Sequence, residues 1–256
     1  MPIEFLDRRK PVVNNEYYND LAERWYTAQD DPIALLRAEA SLRNPWILRK
    51  IRELAPDPGR PLQALDVGCG GGFLSNFLAK EGLSVTGIDL SESSLAIARR
   101  KDETQSVIYV RANAYEMPFE NESFDVVTST DFLEHVEDPK RVLREVARCL
   151  KTGGLFFFHT FSRTMLANLL AIKSLEWFVK NTPKNLHVID YFIKPRDLIH
   201  WLDELDLETI EVRGIRPVIF QWPILKILME GIVDPAFRFT WTRSLQVSYL
   251  GIARKG

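Results

Sequence analysis

Residues 65 to 94, "LDVGCGGGFLSNFLAKEGLSVTGIDLSESS", constrain this chain more than any other stretch. An apolar run leads into Gly68, Gly70, Gly71 and Gly72, a helical pattern follows, and a second apolar run ends at Asp89. A glycine turn between strand and helix lets backbone approach a ligand and presents free N–H groups at the helix start. The dinucleotide fingerprint G-x-G-x-x-G would need its third glycine where Phe73 stands, so the pattern here is G-x-G-x-G. No Gly-Lys-Ser/Thr follows, which excludes a P-loop. A ligand without phosphates fits such a turn better than a nucleoside triphosphate or a dinucleotide.

The same alternation continues along the chain. Strand-like runs occupy 63–68, 83–89, 106–112, 124–130 and 154–160, with helical patterns at 72–81, 92–101 and 139–151 between them. This order predicts an α/β fold: a Rossmann-like, seven-stranded, mostly parallel sheet with helices on both faces. Residues 16–56 read as helical, forming an N-terminal helical extension (1–58) that "PDPGRP" (56–61) links to a second unit, 59–256. That unit carries an apolar helical cap after the fifth strand, with insertions near 161–192 and 217–243. Residues 195–205 read as a further helix, and "LETIEVRGI" and "SLQVSYLGIAR" as late strands.

Composition excludes several classes. A net charge of −2 gives no general pull toward nucleic acid. The two cysteines, Cys69 and Cys149, are too few for a disulfide scaffold and suit a reducing compartment. The opening "MPIEFLDRRKPVV" does not read as a secretory signal, and no uninterrupted apolar run is long enough to span a bilayer. A cytoplasmic protein is expected.

Asp89 lies 21 residues after Gly68, where a carboxylate can accept hydrogen bonds from both hydroxyls of a ribose. Asp66, before the turn, is placed to face an ammonium group. Adenosine joined to a zwitterionic methionine, S-adenosyl-L-methionine (SAM), meets both requirements. Over roughly 60–160 the sequence resembles class I SAM-dependent methyltransferases, with "LDVGCGGG", "GIDLS" and "FDVVTSTDFLEHV" carrying the likeness. The resemblance implies a cofactor site of Asp66, Gly68, Gly70, Gly72, Asp89, Leu90, Asn113, Ala114 and Thr130, with Asn113 and Ala114 bordering the adenine.

Three further stretches, "AERWYTAQDDPIALLRAEASLRNPWI", "STDFLEHV" and "FVKNTPKNLHVIDYFIKPRDL", are similar to the ubiquinone-biosynthesis O-methyltransferase family. That resemblance, running from about 17 to 215, implies methyl transfer to a phenolic hydroxyl of a polyprenylated catechol-type ring. It also implies that Arg43 holds the methionine carboxylate. Some family members carry a Glu-x-x-Glu-His metal site, whose counterpart here is Asp131, Glu134 and His135, with Asp replacing the first Glu. Carboxylates plus one imidazole suit Mg²⁺ or another divalent cation. Without a metal, His135 is the first candidate for general base and His187 the second.

Residues 161–181 are rich in Leu, Met, Trp and Phe with interspersed Arg163, Lys173 and Lys180, which suits either a helix resting on the inner face of a membrane or a buried cap helix. "PVIFQWPILKILMEGIV" (217–233) is a second apolar stretch, and the family pattern weakens after about 215. Two alternatives stay open: a SAM-dependent methyltransferase of another aromatic or lipid-like acceptor, and a non-catalytic SAM-binding sensor or scaffold in a quinone-biosynthesis complex.

Overall fold

A computed structural model describes residues 11–55 and 59–256. The chain start read above, and residues 56–58 of the linker, lie outside them. A 3-10 turn (Asn15–Asn19) and a short helix, α1 (Arg24–Thr27), precede the long α2 (Ile33–Leu54). The alternating core follows: β1 (Gln63–Val67), α3 (Phe73–Lys80), β2 (Ser84–Asp89), α4 (Glu92–Lys101), β3 (Ile108–Arg111), β4 (Phe124–Thr130), α5 (Pro139–Cys149) and β5 (Leu150–Phe161). A π-helical segment (Asn168–Lys173) joins α6 (Met165–Ala167) to α7 (Ser174–Phe178). Then come α8 (Pro195–Asp203), β6 (Leu207–Pro217), α9 (Pro223–Glu230), β7 (Phe239–Thr242) and β8 (Ser248–Lys255).

Local chemistry sets the helix starts. Ser91 caps α4 by accepting from the Ser94 amide at 3.2 Å. Asp138 accepts from the Arg141 amide at 3.1 Å, and Pro139 occupies the first turn of α5, where its missing N–H costs nothing.

Among the described residues the sheet has eight strands in the order β3-β2-β1-β4-β5-β8-β6-β7. The first five are parallel, and β8, β6 and β7 add antiparallel. This is one strand more than the sequence predicts: β7 has only four residues, all half-buried, inside the apolar stretch assigned to a cap. The helix expected to reach 151 ends at Cys149, and Leu150 already pairs with Phe124 of β4.

All but the last residue of β4 is buried, as in a strand covered on both faces. One layer packs Val142, Val146 and Leu198 against Phe156 and Phe158. The opposite layer packs Trp46, Ile47 and Ile51 of α2 against Leu155 and Phe157, so the N-terminal helix shares the core of the sheet. Strand order reverses between β1 and β4, and parallel α/β sheets bind ligands in the crevice at such a point.

Candidate active site

The crevice is a cavity of about 300 Å³ at the carboxyl ends of β1 to β4, and a second cavity of about 280 Å³ adjoins it. Tyr18, Leu36, Asp131 and His135 line both.

In the first cavity Asp89 ends β2. Its Oδ2 accepts from the Gly70 amide at 2.9 Å and its Oδ1 from the Ser91 amide at 2.8 Å. These bonds fix the carboxylate, leaving further lone pairs on each oxygen for a ligand. Asp66 is buried at the cavity wall and accepts from Ser75 at 2.6 Å and Thr128 at 2.8 Å. Burial raises both carboxyls above their ordinary range. Gly68, Leu90, Asn113, Ala114 and Thr130 line the same cavity, as does Arg43.

The glycine turn is clamped by aromatic rings. A Cβ on Gly68 would sit 2.2 Å from Phe132, and one on Gly70 2.7 Å from Trp25. Gly72 departs from its expected role: it is the N-cap of α3 at φ 83°, where a Cβ would meet the Tyr109 hydroxyl at 2.5 Å, and it does not line the cavity. Its work is helix–strand packing.

The second cavity is mainly apolar, walled by α2, α7, α9 and the sheet, including Ile33, Phe161, Leu175, Ile215, Ile227 and Phe237. Its polar side chains include Glu39, Asp131, His135 and His187. Asn15 Nδ2 donates to the His135 carbonyl at 2.9 Å, leaving its Oδ1 to accept from His135 Nδ1 at 3.2 Å. The His135 Nε2 lone pair then faces the Tyr18 hydroxyl at 3.4 Å. His187 Nδ1 donates to the Ala171 carbonyl at 3.1 Å, and the two imidazole rings lie 5.3 Å apart. Burial pushes His135 down to about 3, helped by His187, and burial pushes His187 down to about 4. Both rings are neutral at working pH.

Behind the shared wall is a buried ionic cluster. Arg43 donates to Asp131, and Asp131 Oδ1 accepts from His159 Nδ1 at 2.6 Å. His159 Nε2 stands 2.9 Å from Glu39 Oε1. Burial opposes charge on His159, but Asp131 and Glu39 overcome it and lift the imidazole to about 10. Burial likewise opposes charge on Asp131, and Arg43 with His159 holds it well below the usual range. Asp131 also has φ 54°, a strained conformation for a non-glycine residue, pinned by its amide donating to the His159 carbonyl at 3.1 Å.

The expected metal trio is not gathered by this geometry. Asp131 turns to Arg43 and His159. Glu134 is buried away from both cavities, with Oε2 accepting from Thr160 at 2.7 Å, and His135 faces Asn15 and Tyr18. Among the described residues, the acids and histidine with ligand atoms within 4.8 Å of one another are Glu39, Asp131 and His159. There the Arg43 guanidinium already supplies the positive charge. Sequence reading missed Glu39 and His159. Their signals were an acid on the apolar face of α2 and a histidine inside the run "FFFHTF".

Comparison with known proteins agrees with this layout. Residues 65–158 match the methyltransferase-domain family. The ubiquinone biosynthesis O-methyltransferase of Hahella chejuensis is 41% identical over 201 residues, covering 77% of this chain and 82% of that protein. Its counterpart in Thiobacillus denitrificans is 40% identical over 202 residues, covering 77% and 84%. Among solved structures, magnesium protoporphyrin IX methyltransferase from Synechocystis PCC 6803 with bound SAH superposes with TM-score 0.63 at 16% identity, covering 94% of this chain and 97% of that one. A methyltransferase from Mesorhizobium loti gives 0.58 at 24% identity, covering 84% and 100%. These two likenesses speak to the fold.

Proposed function

The chain belongs to the ubiquinone biosynthesis O-methyltransferase family and is a SAM-dependent methyltransferase, and from this we propose how its two cavities divide the reaction. The crevice at the strand ends takes SAM, with Asp89 on the ribose hydroxyls and Asn113 and Ala114 beside the adenine. Asp66 takes the methionine ammonium. Arg43 takes the carboxylate, a role supported by its place in the lining of the crevice. The apolar cavity takes a polyprenylated catechol-type ring, its hydroxyl toward the wall that both cavities share.

The observation carrying this reading is that shared wall: His135 and Asp131 border both chambers. An acceptor oxygen there would meet the sulfonium methyl in line, its phenolic hydroxyl displacing that of Tyr18 from the neutral His135 Nε2, which takes the proton as the methyl group is transferred. His187, bordering only the apolar chamber, is the secondary candidate. Transfer converts sulfonium and phenolate into neutral thioether and ether, a collapse of charge that an apolar, water-poor chamber favours. Filling the chamber tests the assignment: Leu175→Trp should weaken binding of a short-chain prenyl catechol at least tenfold and leave S-adenosylhomocysteine affinity unchanged. Equal loss of both would count against two separate chambers.

The residues present do not fit a divalent cation at Asp131, Glu134 and His135, because each is committed elsewhere, and burial with the nearby Asp131 raises the Glu134 carboxyl. Turnover is expected to survive EDTA. Loss in chelator with recovery in Mg²⁺ would restore the metal reading.

Membrane contact is the companion proposal. Among the described residues no helix is long and apolar enough to cross a bilayer. Met165 and Trp177 near one cap helix, and Phe220, Trp222 and Met229 near α9, are largely exposed, and Leu170, Phe178 and Leu228 continue that surface into the apolar cavity. An exposed apolar rim around a cavity suits entry of a prenyl chain from a bilayer or from a partner in a quinone-biosynthesis complex. Co-sedimentation with anionic vesicles should exceed that of a Phe220→Ser/Trp222→Ser variant. The extension to residue 58, the unit 59–256 and the caps near 161–192 and 217–243 remain our proposed division, with α2 packed onto the sheet.

A further inference from the structure

Glu39 is a carboxylate in an unusual position. It projects from α2, is 5% exposed and lines the apolar cavity. Its Oε1 lies 2.9 Å from His159 Nε2, yet the two are out of line for a hydrogen bond, and neither atom has another partner. A buried carboxylate held by a misaligned charge pair alone keeps unused acceptor capacity, and in a binding cavity that capacity is open to a donor that enters.

The surrounding charge says what kind of donor that is. Glu39 and Asp131 carry two negative charges, and Arg43 and His159 carry two positive ones at short range. The cluster is balanced, so a cationic acceptor would add an uncompensated charge to an apolar chamber. A neutral O–H satisfies Glu39 without that cost. The reacting hydroxyl is already claimed by His135 at the shared wall, so the donor is a second hydroxyl on the same ring.

Resting on the function proposed above, we infer that Glu39 is a specificity residue that accepts a hydrogen bond from the neighbouring, unreacting hydroxyl of the acceptor and so selects 1,2-diols over single phenols. Any water on Glu39 in the free protein must be replaced by a group that returns its hydrogen bond, and a monophenol or a methyl ether cannot. Sites built to bond a substrate hydroxyl discriminate strongly against analogues lacking it, because their own polar group is left unpaired. The same anchor limits the reaction to one methylation. A product turned over in the chamber would set its ether oxygen against the carboxylate, acceptor against acceptor.

Binding of two probes to the S-adenosylhomocysteine-loaded protein tests this by calorimetry: a short-chain prenyl catechol and its monomethyl ether. The wild type should prefer the diol by roughly 10- to 100-fold, the range of one hydrogen bond to a charged group. Glu39→Gln, with S-adenosylhomocysteine affinity retained as evidence of folding, should bring the two affinities within about threefold, and Glu39→Asp should recover part of the preference. A wild type that binds both equally, or binds neither, overturns the inference, as does a Glu39→Gln protein that keeps the preference. Diol preference that depends on Glu39, in a protein that transfers no methyl group to the diol, would leave this assignment standing and remove the proposed reaction.

Discussion

Arg43, on the buried face of α2, donates to Asp131, the first residue past β4, and the pair ties the N-terminal helix to the mouth of the parallel sheet. The Arg43 side chain is 3% exposed and that of Asp131 12%. Screening by water is weak there, and each charge depends on the other.

Asp131→Ala should therefore destabilise the fold by about 3–5 kcal/mol, the cost of leaving a buried charge unpaired. Urea unfolding measures it. A loss below about 1 kcal/mol, the scale of a surface pair, would mean that the pair is open to solvent.

Stability should respond to pH with opposite signs at the two kinds of histidine. His159 is raised to about 10, so its contribution is complete below its unfolded value near 6.5 and disappears as pH climbs through 10. His135 and His187 are depressed to about 3 and 4, so the unfolded chain takes up protons first as pH falls below 6.5. Between pH 6 and 4 the wild type should lose stability more steeply than a His135→Gln/His187→Gln variant, by up to roughly 2.7 kcal/mol per pH unit for two protons. Parallel curves would show that these rings are solvated.

Much of this arrangement is written in local sequence. The glycine turn, Asp66, Asp89 and the β-α order are short-range signals, and the parallel core appears where they predict it. What sequence spacing could not supply is direction. Asp131, Glu134 and His135 look like a ligand set on paper, but the left-handed backbone at Asp131 and the 3-10 turn Leu133–His135 send them three ways. Glu39 and His159 were hidden for a related reason. Each is a lone polar residue in an apolar run, and it acquires meaning only when α2 crosses β5, whose strand carries His159. Four-residue β7 was masked by the apolar stretch leading into it.

Asp89→Ala removes the acceptor for two backbone amides and, in the SAM pose proposed above, for the ribose as well. Affinity for S-adenosylhomocysteine should fall by about 100-fold or more, as expected for a charged group making paired hydrogen bonds. Calorimetry showing an unchanged Kd would move the nucleoside out of this crevice.

The two histidines should separate kinetically. His135→Gln is expected to lower kcat by about 10²–10⁴-fold, the usual contribution of a general base, with SAM affinity within a few fold. His187→Gln should cost less than tenfold, since its ring borders only the apolar cavity proposed to take the acceptor. Equal losses would mean that the imidazoles, 5.3 Å apart, act as one unit.

Mass spectrometry after incubation with methyl-labelled SAM and a short-chain prenyl catechol addresses the joined chambers most directly. One labelled methyl group on a ring oxygen is the expected product, formed by the wild type and nearly absent with His135→Gln. Tight binding of S-adenosylhomocysteine together with no label on any hydroxylated ring would contradict the assignment of the apolar cavity as the acceptor site.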